Sequence, residues 1–320
     1  MDLNPTLHTK SMDLQLQSLI VKAFKYVSPP PQHSYLVIID GLDECHDKAT
    51  QQLILRLLCK TITVHKLPLR FLIGSRPESH IHDSFDKESL YTVTQRVVLN
   101  EMFDPGRDIK VFLQDGFAKM CAKNPILSHV EQPWPEEGII DLLVQRSSGQ
   151  FIYPMTVLKF VGTDFCSPMK QLALVLKPDP TAFSDLDQLY TQILSVYPST
   201  VNIVQILGII IASKSNLPEV IEDILGMEEG ELKLVLHGLS SLMEDGNNGD
   251  DENDENDENA ACLNERVISY AIPHFAHASF SDYLFNSSRS GPFHVDQQEY
   301  ENQVNIRSFA LIMQLIRSWG

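Results

Sequence analysis

Asp40, Asp43 and Glu44 stand together at the end of a continuous apolar run, Tyr35-Leu36-Val37-Ile38-Ile39. A second apolar run, Leu69–Ser75, closes on Arg76-Pro77-Glu78. Runs this short, bounded by turn residues and separated by a helical stretch, read as parallel strands buried on both faces. Charged groups at the carboxyl ends of such strands are where open α/β sheets bind ligands. Three carboxylates and a guanidinium therefore fall where such a sheet would meet a charged ligand. Plainer readings stay open beside this one. D-G-L-D-E also suits an ordinary turn with a helix cap, and Arg76 also suits a structural ion pair with Glu78 or Asp43. Two other constellations carry less. Cys45, His46, Cys59 and His65 lack the paired C-x₂-C of a zinc knuckle, and Cys59 lies beside the apolar face of its helix. Ser, His and Asp all occur, but no G-x-S-x-G elbow arranges them for nucleophilic catalysis.

The segment Ile38-Ile39-Asp40-Gly41-Leu42-Asp43-Glu44 resembles the extended Walker B of the NACHT branch of STAND P-loop NTPases, most closely its fungal members. The resemblance implies Asp40 as the Mg²⁺ ligand, with Asp43 and Glu44 as catalytic groups acting on the attacking water or beside the metal. Gly74-Ser75-Arg76-Pro77-Glu78 resembles the family's sensor strand, which implies that Arg76 reads the γ-phosphate. The likeness continues in family order. Asn4–Val27 resembles the segment before Walker B, and Asp185–Leu194 the helical linker. Ala276–Leu284, followed by Ser288–Phe293, resembles the end of the winged-helix domain. There His277 resembles the histidine that touches the ADP β-phosphate. The family's Met-His-Asp reads Ala276-His277-Ala278 here, so its acid is absent and a helix-capping or packed core histidine is an equal reading. Gly149–Pro154 falls where the family contacts adenine, with a different spacing. The implied cofactors are ATP/ADP and Mg²⁺, and the implied partners are other proteins or further copies of the chain.

One departure bears directly on activity. A Walker A loop needs glycines, so that backbone N–H groups can wrap the phosphates, and a lysine for the β- and γ-phosphates. No glycine precedes Gly41, and no Gly-Lys pair occurs anywhere. Lys10-Ser11 follows N-P-T-L-H-T and suits a helix start instead. Losing three or four charged hydrogen bonds of roughly 1.5–3 kcal/mol each removes on the order of 5–10 kcal/mol. A micromolar complex holds only about 8 kcal/mol. Feeble nucleotide binding, or none, is expected of the chain as written. The expected explanations are a piece of a larger protein, a reading frame begun too late, or a degenerate relative.

The elements that must carry these residues follow from periodicity. Ser11 or Thr9 caps a helix whose apolar face is Met12, Leu16, Leu19, Ile20, Ala23 and Val27. Residues 50–65 are helical, 80–88 a polar loop and 95–99 a last strand. Asp104-Pro105-Gly106 opens a helix that buries Ile109, Phe112, Leu113 and Phe117. Residues 125–138 form a loop, and 139–160 are helical with a break near Gly149 and Pro154. Helices at 199–213, from Pro218 and at 228–242 precede a strand at 266–272, a helix at 277–285 and a further helix at 300–319. The expected fold class is α/β, with a truncated parallel P-loop NTPase-type sheet in residues 1–125. A helical linker domain (126–197) and a winged-helix domain (198–295) follow, and a further helical region begins at 296–320.

Composition narrows the partners. With 43% apolar residues over 320, the chain can bury a substantial core. Its net charge of −17 argues against nucleic acid and anionic membranes. Glu244–Asn259 alone carries nine acidic residues and no basic one, which leaves −8 for the rest. It reads as a disordered acidic insertion at a wing tip. Five scattered cysteines and no signal peptide fit a cytoplasmic setting. Ile206–Ala212 is too short to span a bilayer and reads as a buried helix. Few Lys or Arg lie between Pro198 and Phe285, so DNA binding through a winged helix is not expected. Two functions remain: a nucleotide-dependent switch, or a non-enzymatic interaction scaffold carrying a relic site.

Overall fold

The two apolar runs do form strands. In a computed structural model of the chain, β1 (Tyr35–Ile39) and β2 (Leu69–Ile73) pair in parallel, with Tyr35 opposite Leu69 and Ile39 opposite Ile73. The structure describes residues 6–26, 33–45, 47–99, 104–163, 166–178, 182–196, 200–213, 218–243 and 275–318. It is mostly helical apart from this small sheet, and it divides into two units, Met1–Val98 and Leu99–Gly320.

In the first unit, helical stretches Met12–Gln15, Leu16–Val21 and Lys22–Tyr26 follow one another as a single helix, α1. Its middle stretch is π-helical, and the Lys22 N–H reaches back to the Gln17 carbonyl. The wider turn corrects the expected face. Leu16 and Val21 are buried, five residues apart, while Met12, Leu19 and Ile20 are exposed. Helix α2 (Lys48–Thr63) starts at Asp47, whose carboxylate accepts the Thr50 N–H at 2.6 Å. It buries Leu55 and Cys59 into a small core with Leu42, Ile81 and Leu90. Two more expectations are corrected here. Residues 80–88 are not a loop, because α3 (Ser79–Phe85) and α4 (Glu88–Tyr91) occupy them. Residues 95–99 form no strand.

The strands also depart from burial on both faces. Val37, Ile39, Phe71 and Ile73 lie on the covered face, whereas Leu36, Ile38 and Leu72 are 61, 67 and 57% exposed. A parallel pair normally hides both faces under helices. Among the described residues, nothing covers this second face.

The second unit has one large core. Helix α5 (Pro105–Lys123) contributes Ile109, Leu113 and Phe117 as expected, while Phe112 stays 37% exposed and packs edge-on against Phe151. Helices α6 (Glu137–Ser147) and α7 (Ile152–Val161) flank a break at Ser148–Phe151. Pro154 causes no break. It sits in the first turn of α7, where its missing N–H costs little. Helix α8 (Pro168–Leu176) is held at its carboxyl end by Arg146, which donates to the carbonyls of Val175 and Leu176 at 2.8 and 3.3 Å. Then come α9 (Asp185–Leu194), α10 (Thr200–Ala212), α11 (Pro218–Leu225) and α12 (Glu231–Gly238). Helices α13 (Ala278–Phe285), α14 (Ser287–Ser290) and α15 (Gln297–Ser318) complete the order. An antiparallel bridge joins Met243 to Phe275. The expected strand at 266–272 and the acidic insertion lie outside the described residues. No helix among the described residues is long and apolar enough to cross a membrane.

Helices α10 and α15 touch closely. A Cβ on Gly208 would lie 2.5 Å from the Tyr300 ring. Gly208→Ala is therefore expected to destabilise the second unit by about 1–3 kcal/mol in denaturant unfolding. Adding Tyr300→Leu should return part of that loss, as coupling between contacting residues requires.

Candidate functional site

The acidic turn is built on a left-handed glycine. Gly41 has φ +64°, which turns the chain out of β1 and into the short 3₁₀ turn Leu42–Glu44. Leu42 is fully buried and anchors the turn from below. Its N–H donates to the Gly74 carbonyl at 3.1 Å, and the Gly74 N–H donates to the Ile39 carbonyl at 2.8 Å. The backbone ladder thus runs past both strands and fastens the acidic turn to the end of β2.

Asp43 completes that fastening. Its side chain is only 9% exposed. Oδ1 accepts the Ser75 hydroxyl at 3.2 Å and the Arg76 N–H at 2.9 Å, and Oδ2 lies 3.4 Å from Arg76 Nε. The structure therefore brings Asp43 and Arg76 together. Asp40 points elsewhere. It is exposed, and its Oδ1 accepts the Gly41 N–H at 3.0 Å. It also rests on Gly74, where a Cβ would fall 2.5 Å from Asp40 Oδ1. Glu44 is exposed, with its carboxylate over Gly41.

Sequence reasoning missed Gln51. This residue of α2 is 5% exposed, and its Nε2 donates to the carbonyls of Asp43 and Cys45 at 2.9 and 2.7 Å. His80 of α3 hydrogen-bonds its Oε1. The available signal was a glutamine four residues ahead of Leu55 and eight ahead of Cys59, on the stripe the helix buries.

These groups fit a divalent cation only in part. Mg²⁺ is held by one or two carboxylates, waters and substrate phosphates. Asp40 suits that role as a single ligand. Asp43 does not, because both of its oxygens already meet donors and one donor group is cationic. Among the described residues, the group of three metal-ligating side chains with mutually close atoms is His82, Asp83 and Asp86, where Arg96 already holds Asp86 at 2.6 Å. The cysteine and histidine set does not gather. Cys59 Sγ bonds the Ser89 carbonyl, His65 pairs with Gln17, and His46 lies outside the described residues.

His277 belongs to the second unit, where it caps a helix. Its Nδ1 accepts the Ser279 N–H at 3.1 Å at the start of α13, which assigns the ring proton to Nε2. The cap opens into a buried polar network. Ser279 Oγ lies 2.7 Å from His277 Nδ1 and 2.8 Å from the Tyr190 hydroxyl. Thr191 and Tyr283 hydroxyls lie 2.8 Å apart. Asp187 is 1% exposed and takes both Nε and a terminal nitrogen of Arg289, at 3.0 and 2.7 Å. The rings of Tyr190, Phe280 and Tyr283 pack around these bonds, with centroids 5.0–6.2 Å apart. Burial pushes Tyr190 and Tyr283 from 10.0 up to about 12.

Three tests follow from this geometry. His277→Asn should keep the cap and the stability, while His277→Ala should lose about 1 kcal/mol in thermal unfolding. Arg289→Ala strands a buried carboxylate and should cost about 3 kcal/mol. The tyrosines set an alkaline limit. Below pH 10 folded and unfolded chains both hold the protons, whereas above it the unfolded chain ionises first. Stability of the second unit should fall between pH 10 and about 12. Tyr190→Phe should flatten that fall in denaturant titrations run across the range.

Residues 2–76 match the family model described as Nephrocystin 3, N-terminal, a NACHT-associated family. The match takes in both strands and the acidic turn and ends at Arg76. No curated protein and no solved structure matches the chain.

Proposed function

We propose that the chain is part of a NACHT-type signalling NTPase module, built on the plan of an ATP/ADP-dependent switch. The observation that carries this reading is the parallel strand pair with Asp40 at one carboxyl end and Ser75-Arg76 at the other, tied across by Asp43. The NACHT-associated match over the same residues supports it. Asp40 is the carboxylate left open to a cation, and Arg76 is the cation closest to any phosphate bound there. Mg²⁺, when bound, would neutralise phosphate charge. Asp43 acts as a positioning residue rather than a base, because its oxygens are committed to Ser75 and Arg76. The Met243–Phe275 bridge, which brings the two ends of segment 244–274 side by side, supports a winged-helix reading of the second unit. Without a glycine loop to wrap the phosphates, this chain binds nucleotide weakly.

A second reading is an interaction scaffold that works without nucleotide through its protein surfaces. The bare apolar face of Leu36, Ile38 and Leu72 favours it.

One experiment separates the two. Mn²⁺ replaces Mg²⁺ in titrations with ATP, and paramagnetic broadening of methyl resonances is recorded. The first reading expects ATP-dependent broadening centred on Val37, Ile39 and Ile73, with a dissociation constant of about 1 mM or weaker. Asp40→Asn should abolish it. Broadening absent at saturating Mn²⁺-ATP, or unchanged in Asp40→Asn, would sink the switch and leave the scaffold.

A further inference from the structure

A hollow against the carboxyl-terminal half of α2 takes no part in the acidic site. It encloses about 290 Å³ between α2, from Gln52 to Thr63, with Val64 just beyond it, and the segment Ser84–Leu90. Leu55, Cys59 and Leu90 form an apolar floor, all 7% exposed or less. The rim is cationic. Arg56 and Lys60 are four residues apart and so share a helix face, and Lys87 stands opposite at the junction of α3 and α4. Among the residues whose side chains the structure describes, no Asp or Glu lines the hollow. Lys60 is engaged by Asp13 at 2.8 Å. Arg56 spends only Nε, on the Gln52 carbonyl at 3.4 Å, and among the described residues neither Arg56 nor Lys87 pairs with a carboxylate. On a chain of net charge −17, this is a local reversal of sign over an apolar hollow.

We propose that this hollow binds a small organic oxyanion, with its phosphate or carboxylate between Arg56 and Lys87 and its apolar body on Leu55, Cys59 and Leu90. Guanidinium and ammonium groups without a carboxylate partner are the usual receptors for such oxyanions. A sparse set of polar groups above an apolar floor is the usual make-up of a small-ligand cleft. The volume lies near the lower bound of such clefts, which limits the body to roughly one ring. The floor excludes a bare inorganic ion as the preferred ligand, since that would leave the apolar surface wet.

Phenyl phosphate is the probe, titrated by isothermal calorimetry beside its two halves, inorganic phosphate and benzyl alcohol. Phenyl phosphate should bind at least about tenfold more tightly than either half, and Arg56→Gln with Lys87→Gln should weaken it by about tenfold or more. Both side chains are exposed, so their loss leaves the core intact. Ser89→Trp keeps the charges but plugs the hollow, and it should also abolish phenyl phosphate binding. Lys119→Gln with Lys170→Gln removes two exposed cations from the second unit and should change nothing. Equal affinity for phenyl phosphate and inorganic phosphate would overturn the proposal. So would binding that survives both the charge variant and the plug.

Discussion

Asp43 is the constraint on which the first unit turns. Two parallel strands with five paired residues each make a poor structure alone, since parallel sheets depend on what packs around them. Here the strands are tied beyond their ends by one nearly buried carboxylate that accepts from Ser75 and Arg76. Gln51 holds the same turn from the helix side. This bracing has a chemical consequence. A carboxylate surrounded by donors is a poor acceptor for water or metal, so the residue that best positions the site is least able to act in it. The open carboxylate is Asp40, which rests against Gly74, where an added Cβ would push the carboxylate aside.

The second unit repeats the theme with a different acid. Asp187 is more deeply buried than Asp43 and is met by Arg289 in two-pronged geometry. Desolvation offsets much of the attraction in a buried ion pair of this kind, so its net stabilisation is small beside the cost of stranding either partner. The pair fixes how α9 meets α13 and α14. The aromatic rings around it and the Tyr190–Ser279–His277 chain of hydroxyl and imidazole follow from that alignment.

Local chemistry was legible in the sequence wherever period or punctuation was strong. Asp104-Pro105-Gly106 opened a helix at Pro105, and Ile109, Leu113 and Phe117 were buried at the expected spacing. The strands fell on their apolar runs, and the pairing of Arg76 with Asp43 was among the readings left open. Three things were illegible for physical reasons. Burial of Leu36 and Ile38 depends on what covers the sheet, which apolar content alone does not reveal. Residues 79–85 carry only two apolar side chains, Ile81 and Phe85, among polar ones, so their pattern reads as loop. Gln51 is a polar residue on a buried stripe, and its value lies in carbonyls that only the folded turn brings within reach.

The π-helical turn in α1 has a consequence for tolerated length changes. A π turn holds one residue more than an α turn, with the surplus accommodated by a local widening while the helix on either side keeps its phase. Removing one residue between Leu16 and Val21 would thus convert the stretch to regular α-helix, with Leu16 still buried and Phe24 still packed edge-on against Tyr35, 5.9 Å between ring centroids. A deletion in α2 would instead rotate everything after it by about 100° and carry Leu55 or Cys59 out of the core. Of the two long helices of the first unit, α1 alone has a place where the chain can shorten without losing its register.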